Sequence, residues 1–173
     1  MSVPCDIAQL GAAVLRQTAL PVDDALSEEV RQIVENMQTT LASTQGVGLA
    51  APQISVSKRI IIVASKPTQR YPLAPVMAPT VMINPVYQPL SELKEKDWEG
   101  CLSIPGVRAL VPRFKEILIQ YTDLQGCQQE IKLNDFVARV FQHEADHLDG
   151  KVYLDRVENN EDIIAESEYL KKF

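Results

Sequence analysis

The sequence predicts an α+β fold in which mixed or antiparallel sheets pack around a central helix, with a second helix near the N-terminus. Three observations predict it. Two long stretches carry apolar residues at helical spacing, one in the first third of the chain and one in the last. Between them lie short apolar runs of strand length, separated by turn residues. The order is therefore helix, several strands, helix and a short tail, and not the regular alternation of a parallel α/β sheet.

The first helix is read in LSEEVRQIVENMQTTLAS. Ser27 caps it, Glu28 and Glu29 favour its positive end, and Leu26, Val30, Ile33, Val34, Met37 and Leu41 form one buried face. Gly46 and Gly48 stop it. RIIIVAS (59–65) reads as a buried strand. The stretch from Pro67 to Pro79, with four prolines, reads as a surface loop. VMINP (81–85) is another strand. FKEILIQYTD turns through Leu124-Gln125-Gly126 into CQQEIKL, a predicted hairpin. The second helix is NDFVARVFQHEADHLDG, capped by Asn134 or Asp135 and ended by Gly150.

The chain has 173 residues, 46% of them hydrophobic and 23% charged, which predicts a single domain over 1–173 with 156–173 as a short acidic tail. A net charge of −6 and a pI near 5.0 exclude a generally basic surface, so no DNA partner and no bulk nucleic-acid binding are expected. Cys5, Cys101 and Cys127 are too few and too scattered for a disulfide scaffold. No signal peptide and no membrane-length apolar run is read, so the expected location is the cytoplasm.

The chemistry gathers on the second helix. The only two histidines, His143 and His147, lie four residues apart in His143-Glu144-Ala145-Asp146-His147. That spacing points both imidazoles the same way, and Phe136, Val140, His143 and His147 continue one stripe. Two such ligands with an adjacent glutamate suit a metal with an open position. The competing reading is two histidines on a solvated helix face. A catalytic metal needs a third ligand. It is either a downstream carboxylate, Glu166 or Glu168, or a cysteine. Cys101 lies in Trp98-Glu99-Gly100-Cys101-Leu102-Ser103-Ile104-Pro105-Gly106, which reads as a shaped loop turned by Pro105-Gly106. Cys5 and Cys127 read as ordinary small apolar residues. GVGLAAPQ (46–53) is weak alone and lacks the pattern of a phosphate loop.

Taken together, GVGLAAPQ (46–53), EGCLS (99–103) and QHEADHLDG (142–150), in this order, resemble the motifs of the peptide deformylase family. INP (83–85) and IPGVRALVPR (104–113) add to the likeness. The resemblance implies that Cys101, His143 and His147 hold a metal, natively Fe(II) with Zn, Ni or Co able to replace it. It implies water in the fourth position, Glu144 as general acid and base, and the Gln53 side chain and Leu102 backbone N–H as donors to the developing oxyanion. The implied substrate is an N-formyl-methionyl nascent peptide, which would release formate. The implied substrate contacts are Gly46, Val47, Gly48, Arg108, Phe136 and Val140, some of which could equally be plain core. Gln142 and Asp146 are candidates for orienting the ligands. Arg139 departs from the aliphatic residue of some relatives and is expected at the pocket rim. The acidic tail suits RNA phosphates poorly, so ribosome proximity is expected to be transient at most. The rival readings are a zinc endopeptidase with a downstream glutamate as third ligand, and a partner-binding domain with a vestigial motif.

Overall fold

A computed structural model describes residues 3–68 and 71–172. Its helices are α1 (Glu28–Ala42), α2 (Asp135–Leu148) and α3 (Glu166–Leu170). Its strands are β1 (Gly48–Ala50), β2 (Ile60–Ser65), β3 (Met77–Pro89), β4 (Lys94–Cys101), β5 (Ile104–Phe114), β6 (Glu116–Thr122), β7 (Gln128–Asn134) and β8 (Ile163–Ala165). One sheet has the order β1-β2-β3-β6-β7 and the other β4-β5-β8, and every neighbouring pair is antiparallel. The α+β class with antiparallel sheets is as expected. Among the described residues no helix is long and apolar enough to cross a membrane.

The unbroken apolar run of β2 follows from its place between two helices. Successive side chains of a strand point to opposite faces. Ile61 and Val63 join Met82, Ile117 and Ile119 against Ala138, Phe141 and Ala145 of α2. Ile60 and Ile62 join Val81 and Ile83 against Ile33, Val34 and Met37 of α1. A strand covered on both faces has no reason to alternate with polar residues. The Ser27 hydroxyl accepts from the Val30 N–H at 3.3 Å and caps α1, and the β6–β7 hairpin forms where it was read.

Three readings are corrected. The Pro67–Pro79 segment is not all loop, because β3 begins at Met77 and runs well past VMINP; residues 69–70 of that segment lie outside the described residues. Pro79 and Pro85 are tolerated because each falls at a register shift. Val63 pairs with Thr80 but Ser65 with Met77, and Ile83 pairs with Thr122 but Val86 with Gln120. Second, the segment around Cys101 is the end of a hairpin. Leu102 and Ser103 turn between β4 and β5, and Pro105-Gly106 lies inside β5. Between Cys101↔Ile104 and Glu99↔Ala109 the β5 side carries the extra residues, and Gly106 takes them up at φ +79°. Third, the acidic tail is structured: β8 pairs with β5, and Tyr169 of α3 is buried.

Candidate metal centre

α2 carries the site because it is buried almost throughout. From Val137 to Leu148 every residue is buried, polar ones included. Its end is set by Gly150, at φ +69°, where a Cβ would meet the Arg16 carbonyl. The hairpin turn brings Cys101 up to the same point. The donor atoms of Cys101, His143 and His147 lie within 4.8 Å of one another, and Sγ is 3.4 Å from His147 Nε2. The sulfur also receives the Ser103 N–H at 3.4 Å and the Gln53 side-chain N–H at 3.5 Å. A soft thiolate and two imidazoles form a donor set that fits a transition-metal ion or zinc.

The third motif closes the site from β1. A Cβ on Gly48 would lie 2.5 Å from Glu144 Oε1, so only glycine lets that strand pass the carboxylate. Gln53 is buried beyond it. Its carbonyl oxygen accepts from the Ala50 N–H at 2.9 Å, which aims its N–H groups at Cys101 and at Ser103 Oγ, 3.2 Å away. Gly46 brings the chain against Leu102, whose Cδ1 would be 3.1 Å from a Cβ. Val47 and Phe136 are half-buried and pack on the cluster that contains Val140.

Behind the three donors lies a buried charge network. Glu99 accepts from His143 Nδ1 at 2.8 Å, from Arg113 at 2.9 and 3.0 Å and from Arg139 at 2.8 Å. Asp146 accepts from Arg113 at 2.6 Å and from Arg156 at 2.7 and 3.1 Å. Glu99 thus fixes the tautomer and plane of His143 and leaves Nε2 for the site. Burial opposes the charge on Glu99, but Arg113 and then His143 outweigh it and hold the carboxyl well below the usual range. Burial also opposes protonation of His143, yet Cys101 and Glu99 raise its pKa. His147 is driven the other way, to about 3, by burial and then by His143. Burial lifts Glu144 to about 7, and its Oε2 is buried with no hydrogen-bond partner among the described residues. A carboxylate poised near neutrality with one oxygen uncommitted is suited to taking and returning a proton.

Several expectations shift. Arg139 is buried and bound to Glu99 and to the Val111 and Glu95 carbonyls, and it lines a cavity together with Phe136 and Glu95. Gln142 ties α2 to the Phe114 backbone, at 3.0 and 2.9 Å, and not to a ligand. Arg108 is buried and bonded to Glu166. Glu166 is therefore not beside the histidines, and Glu168 pairs with Lys171. Two residues went unread in the sequence. One is Glu99. The other is Tyr153, whose ring stacks on His143 at 5.9 Å while its hydroxyl donates to the Val107 carbonyl at 3.0 Å.

A family model described as polypeptide deformylase matches residues 4–162. The chain belongs to the polypeptide deformylase family. The family is metal-dependent, and this chain is a hydrolase of that family with a candidate metal site at Cys101, His143 and His147. It is 50% identical over 163 residues to peptide deformylase 2 of Nostoc, covering 94% of this chain and 91% of the relative. It is 44% identical over 151 residues to peptide deformylase 1 of Bordetella pertussis, covering 87% and 86% of the two. In structure it resembles a class I type b peptide deformylase of Acinetobacter baumannii solved with Met-Ala-Ser bound. That match has a TM-score of 0.87 at 41% identity and covers 91% of this chain and 100% of the other. The peptide deformylase of Thermotoga maritima matches with a TM-score of 0.80 at 34% identity, covering 91% and 99%.

Proposed function

We propose that this chain removes the formyl group from N-formyl-methionyl nascent peptides in the cytoplasm, using a metal held by Cys101, His143 and His147. The observation that carries the reading is the meeting of one sulfur and two imidazole nitrogens within 4.8 Å, beside the uncommitted Glu144 carboxylate. A divalent ion at these ligands lowers the pKa of a water and so supplies the nucleophile at neutral pH. Glu144 takes the proton from the attacking water and hands it to the leaving amine, so the product leaves as a free amino terminus and formate. The Gln53 side-chain amide and the Leu102 N–H stand ready for the negative charge that develops on the formyl oxygen. Gly46, Val47, Gly48, Phe136 and Val140 line the side on which the methionine rests. The family resemblance supports Fe(II) as the native ion, with Zn, Ni or Co as working substitutes.

The endopeptidase alternative needs a glutamate at the histidines, and Glu166 and Glu168 are engaged elsewhere. The test is formate release from a formyl-Met-Ala-Ser peptide under anaerobic conditions. Wild-type protein releases formate, whereas Cys101→Ala loses both stoichiometric metal and turnover while Cys127→Ala keeps them. A Cys101→Ala protein with full metal content and turnover contradicts the ligand set. A wild-type protein that cleaves internal peptide bonds and leaves formyl groups intact contradicts the reaction.

A further inference from the structure

The C-terminal segment reaches the metal centre through Arg108. β8 pairs with β5 so that Ile164 lies opposite Arg108. Two residues on, Glu166 Oε1 accepts from Arg108 Nη2 at 2.6 Å. Tyr169 is buried, with its ring 5.7 Å from the Arg108 guanidinium carbon and 5.6 Å from the Trp98 ring. On its other side the guanidinium lies over Gly100, where any Cβ would overlap it. Gly100 directly precedes Cys101. The order of contact is thus Glu166, Arg108, Gly100, Cys101, and the family match ends at residue 162, before β8 and α3 begin.

The three donors are not equally secure. His143 and His147 are fixed in the middle of a buried helix, and His143 is further clamped by Glu99 and Tyr153. Cys101 is half-buried at the end of a strand, next to a turn and opposite a stretch of β5 with extra residues. No side chain of residue 100 packs there, so the guanidinium fills that role. An arginine side chain has many rotamers, and a carboxylate that bonds its fork selects one.

We propose that Glu166 is a positioning residue for the Cys101 sulfur, holding Arg108 over Gly100 so that the hairpin end keeps the thiolate beside the two imidazoles. This rests on Cys101 being a metal ligand. The prediction concerns metal retention before catalysis. Without the Glu166 carboxylate, Arg108 leaves Gly100, the hairpin end moves more freely, and the thiolate dissociates more often.

The test uses the full chain loaded with zinc and challenged with excess chelator, and the cobalt form for its thiolate-to-metal absorption band. Wild type and Cys101→Ala are measured first. A wild type that holds no metal, or a Cys101→Ala protein that holds it equally well, overturns the ligand reading itself. With that established, Glu166→Ala should release zinc roughly tenfold faster, the low end of what residues behind a ligand contribute to metal affinity. Glu166→Gln, which keeps the shape and folds where the alanine variant does not, should release it faster by a smaller factor. Glu166→Asp should recover part of the loss. The cobalt band should weaken in the same order. Lys96→Ala is the control. It removes the ion pairs to Glu158 and Asp162 that fasten the same segment, both at 2.9 Å, but leaves Arg108 untouched. Its zinc release and cobalt band should match wild type. Unchanged release and an unchanged band in the Glu166→Ala or Glu166→Gln protein overturn the proposal. So does an equal acceleration in Lys96→Ala, which would mean that the segment acts only through general stability.

Discussion

α2 and the β4–β5 hairpin bring the three proposed ligands to one point by different physics. The helix holds His143 and His147 by burial, on the stripe they share with Phe136 and Val140, while Ala138, Phe141 and Leu148 on its other side anchor it in the apolar core. Its polar side chains are tied by charge: Glu99 and Asp146 together bind Arg113, Arg139, Arg156 and His143. The hairpin is mostly exposed along β4 and becomes buried only at Glu99. The difference teaches that a metal centre of this kind is a joint between a rigid element and a compliant one. Glu99 is common to both, since it sits on the hairpin and grips the helix, as Arg113 beside it does through Asp146.

Removing that common residue should have the largest effect. Glu99→Ala leaves Arg113 and Arg139 buried without their main partner. Breaking a buried ion pair from one side costs about 3–5 kcal/mol. Denaturant unfolding should show a loss of this size, and metal binding should weaken because His143 loses its orientation. A loss below about 1 kcal/mol, the scale of an exposed pair, would mean that the network is not what joins the two elements.

A smaller and more local effect is expected where β1 passes the helix. In Gly48→Ala the added methyl would fall 2.5 Å from Glu144 Oε1. Either the strand or the carboxylate must shift. Zinc content should stay stoichiometric, because the three donors are untouched, while kcat falls by about 10²-fold as the proton-transfer group is displaced. Normal kcat in this variant would show that β1 is free to move away from Glu144.

The mildest prediction concerns acid. Arg113 and His143 depress the Glu99 pKa in the folded chain against the pull of burial, and Arg156 and Arg113 do the same for Asp146. A depressed carboxylate stabilises the fold fully above its ordinary value and loses that contribution as pH falls below it. Those ordinary values are 4.5 for Glu99 and 3.8 for Asp146. The difference in thermal midpoint between wild type and Glu99→Gln should therefore be constant near neutrality and shrink below pH 4.5. A difference that grows on acidification would reverse the sign assigned to Glu99.

The same contrast explains what the sequence made legible. α1, α2 and the β6–β7 hairpin were readable because their residues repeat against a core at a fixed period, and β2 because it is an unbroken apolar run. The three motifs that meet at the centre were also readable, as residue patterns. β4 was not, because Lys94, Glu95, Lys96 and Asp97 are all exposed and leave no alternation to detect. The full length of β3 was hidden by prolines that a register shift accommodates. β8 and α3 are short and acidic, and only pairing with β5 and the burial of Tyr169 give them structure. Glu99 stood in plain view two residues before Cys101, but its part depends on Arg113, Arg139 and His143 arriving from elsewhere in the chain.

The central claim is that three side chains hold the metal while a fourth, Glu144, moves the proton. Glu144→Gln separates the two tasks, since the amide keeps the shape but cannot take a proton from the attacking water. Zinc stoichiometry and steady-state formate release should be measured on the same preparation. The expected result is full metal content, a nearly unchanged KM for a formyl-Met peptide and a kcat lower by at least about 10²-fold. Loss of the metal would make Glu144 a ligand, and a near-normal kcat would make some other group the base. Either result contradicts the account.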